Sequence, residues 1–119
     1  MSISGNRRVA NGTRVHSFRR PGAGHNSRLL KNVNTDALEY AACISTDELE
    51  LFFTRAGKNG PAIYSSTRMS VTHPFDPPVR VDAIKGFVEA PTLSLDGRSL
   101  YYHLREGARF VIYRAARSQ

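Results

Sequence analysis

The side chains that could act as nucleophiles or metal ligands are scattered along this sequence. The four histidines, His16, His25, His73 and His103, have no spacing typical of a metal site. Cys43, the single cysteine, lies in a short apolar run, which predicts a buried and unreactive thiol. There is no G-x-S-x-G nucleophile elbow, phosphate-binding loop or dinucleotide fingerprint. We therefore predict no catalytic residue, no metal site and no cofactor, and we do not expect an enzyme.

The positive charge of the chain is confined to its first third. The net charge is +7, yet residues 36–119 contain ten Lys and Arg against ten Asp and Glu. Residues 1–35 contain the other seven basic residues and no acidic one. Such an arm could bind a polyanion, with these candidate residues: Arg7, Arg8, Arg19 and Arg20. Because no aromatic residues are interleaved for base stacking, nucleic acid is not the expected partner, and a solvated arm is favoured.

Length and hydropathy indicate one small domain. The chain has 119 residues, and no apolar run approaches the 18 residues that a membrane-spanning helix needs. No hydrophobic stretch follows the N-terminal arginines, so a secretory signal peptide is not expected. A lone cysteine excludes an internal disulfide framework and fits a reducing compartment. We expect a soluble, cytoplasmic protein without a membrane segment.

An internal repeat is the strongest signal in the sequence. Residues 45–68 align without a gap on residues 94–117, which lie 49 positions further along. The six identical pairs are Ser45/Ser94, Asp47/Asp96, Leu51/Leu100, Ile63/Ile112, Tyr64/Tyr113 and Arg68/Arg117. The aromatic pair at 52–53 also falls on the aromatic pair at 101–102. A repeated unit constrains the fold more than any other sequence feature.

Each unit is predicted to consist of short β-strands. Apolar and aromatic runs recur about every ten residues and are separated by turn residues, and no segment of 11 or more residues has helical periodicity. We predict an all-β fold with strands at 28–33, 40–45, 50–55, 62–68, 79–84, 88–94, 98–104 and 110–115, and at most a short strand at 16–20. One turn departs from the repeat, because Glu48 stands where the second copy has Gly97. This turn is therefore either strained or of a different type.

The repeated residues resemble the TolB-like β-propeller repeat over about residues 28–117. In the second copy the motif consists of Glu89, Ser94, Asp96, Gly97, Leu100, Tyr101, Tyr102, Ile112, Tyr113 and Arg117. The resemblance implies two four-stranded antiparallel blades, from repeats at about 28–68 and 75–117, within a unit of residues 28–119. Residues 1–27 are predicted to form a basic, largely irregular arm. By strand count, the last blade lacks its outer strand and the first outer strand has no blade of its own.

Two blades cannot close a ring, and repeat proteins generally need three or more units. The resemblance therefore implies a homo-oligomer: a trimer with six blades is favoured, and a tetramer with eight is possible. Alternatively, the chain completes the propeller of another protein or is a fragment of a larger one.

A closed propeller implies a binding site at the rim of its axial channel, for a protein, a peptide or a small ligand. The candidate residues are Glu39, Glu89 and Tyr40. We interpret Glu39 and Glu89 as equivalent positions just ahead of the inner strands, where rings of carboxylates would form. Alternatively, each glutamate caps a turn or pairs with an arginine. The leading hypothesis is a non-enzymatic interaction or scaffold module, and the alternatives are a hydrolase or lyase with an inter-subunit site and the polyanion-binding arm.

Overall fold

The computed structural model describes residues 16–17 and 28–118, and every regular element within them is a β-strand. The all-β prediction is confirmed. In chain order the strands are β1 (His16–Ser17), β2 (Arg28–Leu29), β3 (Leu38–Ile44), β4 (Glu50–Gly57), β5 (Gly60–Thr67), β6 (Val79–Arg80), β7 (Val88–Leu93), β8 (Ser99–Glu106) and β9 (Arg109–Ala116). They form three antiparallel sheets: β1-β2, then sheet 1 with the order β3-β4-β5-β6, then sheet 2 with the order β7-β8-β9.

The two copies of the repeat form the same three-stranded arrangement. Phe53 on β4 lies opposite Tyr64 on β5, and their rings stack with centroids 6.0 Å apart. Tyr102 on β8 lies opposite Tyr113 on β9, and their rings stack at 6.1 Å. Residues 49 positions apart therefore occupy the same place in the two sheets. Sheet 1 has a fourth strand, β6, whereas the described residues of sheet 2 form three strands rather than four.

The turns that begin β4 and β8 are stabilised by the repeated Ser-x-Asp motif. Asp96 accepts hydrogen bonds from the Ser94 hydroxyl (2.7 Å) and the Arg98 amide (3.0 Å), and the first copy repeats both bonds. Glu48 has φ 65° where Gly97 has φ 74°. The first of the two predicted alternatives is therefore correct: the turn keeps its shape and Glu48 carries the cost of a left-handed conformation.

Two predicted strands are shorter than the sequence suggested. The segments 28–33 and 79–84 are extended only at their first two residues. Each then forms a turn, in which the amide of Val33 or Ile84 donates to the carbonyl three residues earlier at 3.0 and 3.1 Å. In both turns the first and last residues, three positions apart, are apolar and pack into a core. Short apolar runs do not distinguish this arrangement from a strand.

We call the face of each sheet that carries Leu51 or Leu100 its upstream face, and the face on the other side its downstream face. The upstream face of sheet 1 carries Leu51, Phe53 and Tyr64, which pack with Val33 and Phe75. Its downstream face carries Cys43, Phe52 and Ile63. That face packs against the upstream face of sheet 2, which carries Leu93, Leu100 and Tyr102. The contact between the sheets is thus the downstream face of one repeat against the upstream face of the next.

Candidate functional site

The inner strands β3 and β7 lie beside each other and are joined by one polar contact. The Tyr40 hydroxyl donates to a carboxylate oxygen of Glu89 at 2.6 Å. Burial, together with the hydrogen bond to Glu89 and its negative charge, raises the pKa of Tyr40 above its usual value. Both side chains are half-buried. Two of the three residues predicted for a channel rim are therefore in direct contact.

Glu39, the third of these residues, is completely buried. Its carboxylate accepts hydrogen bonds from the Arg55 Nε (2.9 Å) and the Thr35 hydroxyl (2.6 Å). Arg55 also donates to the carbonyl of Val33 at 2.8 Å, and its guanidinium lies over the ring of Tyr64, 4.5 Å from the centroid. The Glu39–Arg55 pair thus ties β3 to β4 and, through Arg55, to the turn of residues 30–33. Glu39 therefore pairs with an arginine, which is the alternative to a place at the channel rim that the sequence left open.

The interpretation of Glu39 and Glu89 as equivalent positions is wrong. Glu39 lies opposite Arg55, whereas Glu89 lies opposite His103. The residue in sheet 2 that corresponds to Glu39 is Val88, and Tyr40 corresponds to Glu89. A shift of one residue along a strand moves a side chain to the opposite face of the sheet. Both glutamates also lie within strands rather than ahead of them.

A bulge near the start of each inner strand places one alanine in a left-handed conformation. The bulges lie between Tyr40 and Cys43 in β3 and between Glu89 and Thr92 in β7. Ala41 has φ 54° and Ala90 has φ 59°. The Ala90 amide donates to the hydroxyl of the buried Thr54 across the sheet contact, at 3.0 Å. Bulges frequently re-aim backbone groups in this way, and here the amide is directed toward the neighbouring repeat.

A polar groove of about 590 Å³ lies at the end of the molecule where the two Ser-x-Asp turns meet. Glu50 and Arg117 form a bidentate ion pair there, with distances of 2.7 and 2.9 Å. The Arg117 Nε also donates to the Gly97 carbonyl at 2.8 Å, and Arg68 makes the same bond to Glu48 in the first repeat. The charged side chains and turn carbonyls that line the groove thus bond to each other, and these contacts stabilise the groove.

The two aspartates of this groove are unsuited to act as proton donors. The Ser45 hydroxyl, followed by the Leu49 amide, lowers the pKa of Asp47. The Ser94 hydroxyl and the Arg98 amide lower the pKa of Asp96 in the same way. A general acid needs a pKa raised toward neutrality. Hydrogen bonds to the charged form have the opposite effect.

The histidines and the cysteine do not form a reactive group among the described residues. No set of three or more His, Cys, Asp or Glu side chains there could hold a metal ion. His73 is hydrogen-bonded to Ser70 in a loop, and His103 contacts the ring of Phe110 edge-on. Cys43 is buried between the sheets, and burial raises the pKa of its thiol to about 11. A neutral thiol of this kind is a poor nucleophile.

The downstream face of sheet 2 is the largest difference between the two repeats. Ile112 is 67% exposed, whereas its equivalent Ile63 is 0% exposed. Tyr101 is 41% exposed, whereas its equivalent Phe52 is 5% exposed. The upstream faces do not differ in this way, because Leu100 is as buried as Leu51. One face of one repeat thus presents core-type residues at the surface, where they are available for binding.

Sequence patterns did not identify the residues that join the two repeats. Thr54 and Arg55 fall in a run that reads only as a strand, and nothing in it marks them as partners of Ala90 and Glu39. The repeated arginine, Arg68 and Arg117, was a usable signal, since both clamp the turn of their own repeat. The basic candidates Arg7, Arg8, Arg19 and Arg20 lie outside the described residues.

Comparison with protein families finds no match for this chain, and neither the curated proteins nor the solved structures contain a significant match. Within the part of the chain that the structure describes, no helix is long and apolar enough to cross a membrane.

Proposed function

We propose that this protein is a non-enzymatic interaction module of the β-propeller type, in which further copies of the chain complete the ring. The observation that carries the proposal is that no described part of the chain packs as a sheet on the downstream face of sheet 2. We call this surface, which carries Tyr101, His103 and Ile112, the bare face. Its Tyr101 and Ile112 are equivalent to Phe52 and Ile63 of the buried contact inside the chain, and Ile112 is 67% exposed where Ile63 is 0% exposed. Burying such a side chain contributes about 1.5–3 kcal/mol.

The contact inside the chain supports a second copy as the occupant of this face. There, a downstream face that bears Phe52 and Ile63 packs on an upstream face that bears Leu100 and Tyr102. In sheet 1 the equivalent residues, Leu51 and Phe53, are 4% and 0% exposed because the turn of residues 30–33 and Phe75 already cover them. A second copy would therefore pack its downstream face on this covering layer, and the contact would continue from sheet 2 of one chain to sheet 1 of the next.

The turn that lies on the upstream face of sheet 1 fits into such a contact. In sheet 2 the corresponding turn contributes Val81 and Ile84 to the core between the sheets. The turn of residues 30–33 is therefore part of the surface that sheet 1 offers to a second copy. A head-to-tail contact of this kind closes into a ring when its rotation divides a full turn. Three chains would give six blades and four would give eight, both within the range of propellers.

The inner strands would line the channel of the closed ring. Tyr40 and Glu89 meet at that edge, and Glu89 supplies a carboxylate. A protein or peptide segment with basic residues is the ligand class that this edge suits. Glu39 is not part of the proposed site, because it is buried in its ion pair with Arg55.

Sedimentation of two charge-introducing variants tests the proposal. Ile112→Asp places a carboxylate on the bare face, and we expect it to reduce the protein to single chains. Met69→Asp is the matched control, because Met69 is 83% exposed in a loop outside the proposed contact. That variant should keep the mass of the unaltered chain. Equal masses for the two variants, whether both associated or both monomeric, would count against the face as the contact surface.

A further inference from the structure

Besides the half-buried Tyr40–Glu89 bond, a second polar contact crosses the boundary between the two sheets at the inner edge. The Thr54 hydroxyl, which is completely buried, accepts the N–H of Ala90 at 3.0 Å. Ala90 presents this N–H because the bulge in β7 holds it at φ 59°. A buried amide without an acceptor is costly. The contact therefore helps to determine how one repeat seats on the next.

The chain also contains a donor and an acceptor for another such contact, but the two do not meet within one chain. His103 is the equivalent of Thr54, since it lies opposite Ile112 and Glu89 as Thr54 lies opposite Ile63 and Tyr40. Ala41 is the equivalent of Ala90 and has φ 54°. None of the described side chains accepts the Ala41 N–H. His103 lies on the bare face, and Ala41 lies in the other sheet.

We propose that His103 of one copy accepts the N–H of Ala41 of a second copy, so that chain association depends on the protonation of this histidine. This inference rests on the proposed function, because it takes the head-to-tail contact as given. A neutral imidazole has one ring nitrogen that accepts a hydrogen bond, whereas an imidazolium has none. Association would therefore be strong where the ring is neutral and weak where it is protonated.

Several charged groups face His103 in the proposed contact. Glu89 lies opposite it on β7, and Arg105 and Arg114 share its face on β8 and β9. From the second copy, Tyr40 and the Glu39–Arg55 ion pair lie beside Ala41. The loss of the acceptor nitrogen on protonation occurs whichever of these charges dominates.

The test measures association against pH in the unaltered chain and in His103→Thr. Histidine ordinarily titrates near pH 6.5, so the comparison runs from pH 7.5 to pH 5.5. Loss of one hydrogen bond at each chain–chain contact should raise the midpoint concentration of association about fivefold or more. His103→Thr copies the residue found at position 54, so it should associate at both pH values with little change between them. His73→Gln is the control and should keep the full pH dependence.

The outcomes separate this inference from the proposed function. Association that is insensitive to pH in the unaltered chain would overturn the histidine contact and leave the assembly in place. Association whose pH dependence persists in His103→Thr would do the same. A chain that stays single at every pH and concentration would overturn both.

Discussion

Sheet 1 and sheet 2 are built from the same repeat, and their largest difference lies on the downstream face. Both upstream faces have a buried leucine at the same position, with Leu51 and Leu100 4% and 6% exposed. Their downstream faces differ, because Ile63 is buried by sheet 2 whereas Ile112 has no sheet against it among the described residues. The repeat therefore specifies a sheet with two apolar faces, and the second face is satisfied only where another repeat follows. The first prediction below compares two glutamates that are not equivalent, and the others compare equivalent positions in the two sheets.

The largest difference is expected between the two glutamates. Glu39→Gln breaks a buried ion pair and leaves Arg55 without its partner, which should lower the free energy of unfolding by about 3–5 kcal/mol. Glu89→Gln keeps an acceptor for the Tyr40 hydroxyl, and we expect a loss of about 1 kcal/mol. Urea denaturation of both variants measures the difference. Similar losses would mean that the two carboxylates have similar roles after all.

The two isoleucines come next. Ile63→Ala removes a fully buried side chain, and a loss of about 2–5 kcal/mol is expected. Ile112→Ala should change the unfolding free energy of the dilute chain by less than about 0.5 kcal/mol, as surface substitutions do. Denaturation at low protein concentration checks both values. A large loss for Ile112→Ala in the single chain would show that its face is already covered.

A smaller effect is expected at the polar contact across the sheets. Thr54→Val keeps the shape of the side chain and leaves the Ala90 amide without its acceptor, at a cost of about 1–3 kcal/mol. His103→Thr should leave the stability of the dilute chain within about 0.5 kcal/mol. Thermal or urea unfolding of the two variants distinguishes them. An unchanged free energy of unfolding for Thr54→Val would contradict the role of this contact in positioning one repeat against the other.

The two Ser-x-Asp turns differ at the position after the aspartate, which is Glu48 in the first and Gly97 in the second, and each residue can be replaced by the other. Glu48→Gly should stabilise the protein by about 1 kcal/mol, because glycine has no penalty at φ 65°. Gly97→Glu should destabilise it by about the same amount. A β-carbon at position 97 would meet only the Arg117 guanidinium, at 3.8 Å, so space is not the obstacle. Effects of the same sign for the two variants would contradict this assignment to backbone conformation.

The smallest effect is expected from the aspartates of the turns. Hydrogen bonds lower the pKa of Asp47 and Asp96 below the ordinary value of 3.8. Their contribution to stability is therefore present above pH 3.8 and is lost as the pH falls through the lowered pKa. Ser45→Ala and Ser94→Ala should each weaken this acid dependence by a similar amount. The urea midpoint measured between pH 2.5 and pH 5 tests it, and an unchanged acid dependence would show that the hydroxyls do not lower these pKa values.

The sequence predicted the strands and turns well because the repeat presents each of them twice. The pairs Ser45/Asp47 and Ser94/Asp96 marked both turns, and the all-β class followed from the spacing of the apolar runs. The bulges were not predictable in the same way, because they depend on Ala41 and Ala90 at positive φ, which alanine does not signal. The two glutamates are 50 positions apart whereas the repeat period is 49, so the period itself aligns Glu39 with Val88 and Tyr40 with Glu89.

The candidate site was predictable only in part. Tyr40 and Glu89 were identified and do meet, but their contact joins two residues 49 positions apart in neighbouring strands. The bare face could not be identified from composition, because Ile112 and Ile63 are the same residue in the same local pattern. Their difference arises from what packs on each sheet, and that is a property of the tertiary structure.

The absolute mass of the unaltered chain in solution tests the central proposal most directly. Light scattering on a sizing column, at several protein concentrations and at pH 7.5, gives the mass independently of shape. We predict a stable mass of three chains, which corresponds to six blades; four chains would keep the contact and revise the count to eight. A well-folded single chain at every concentration would contradict the proposal that further copies cover the downstream face of sheet 2.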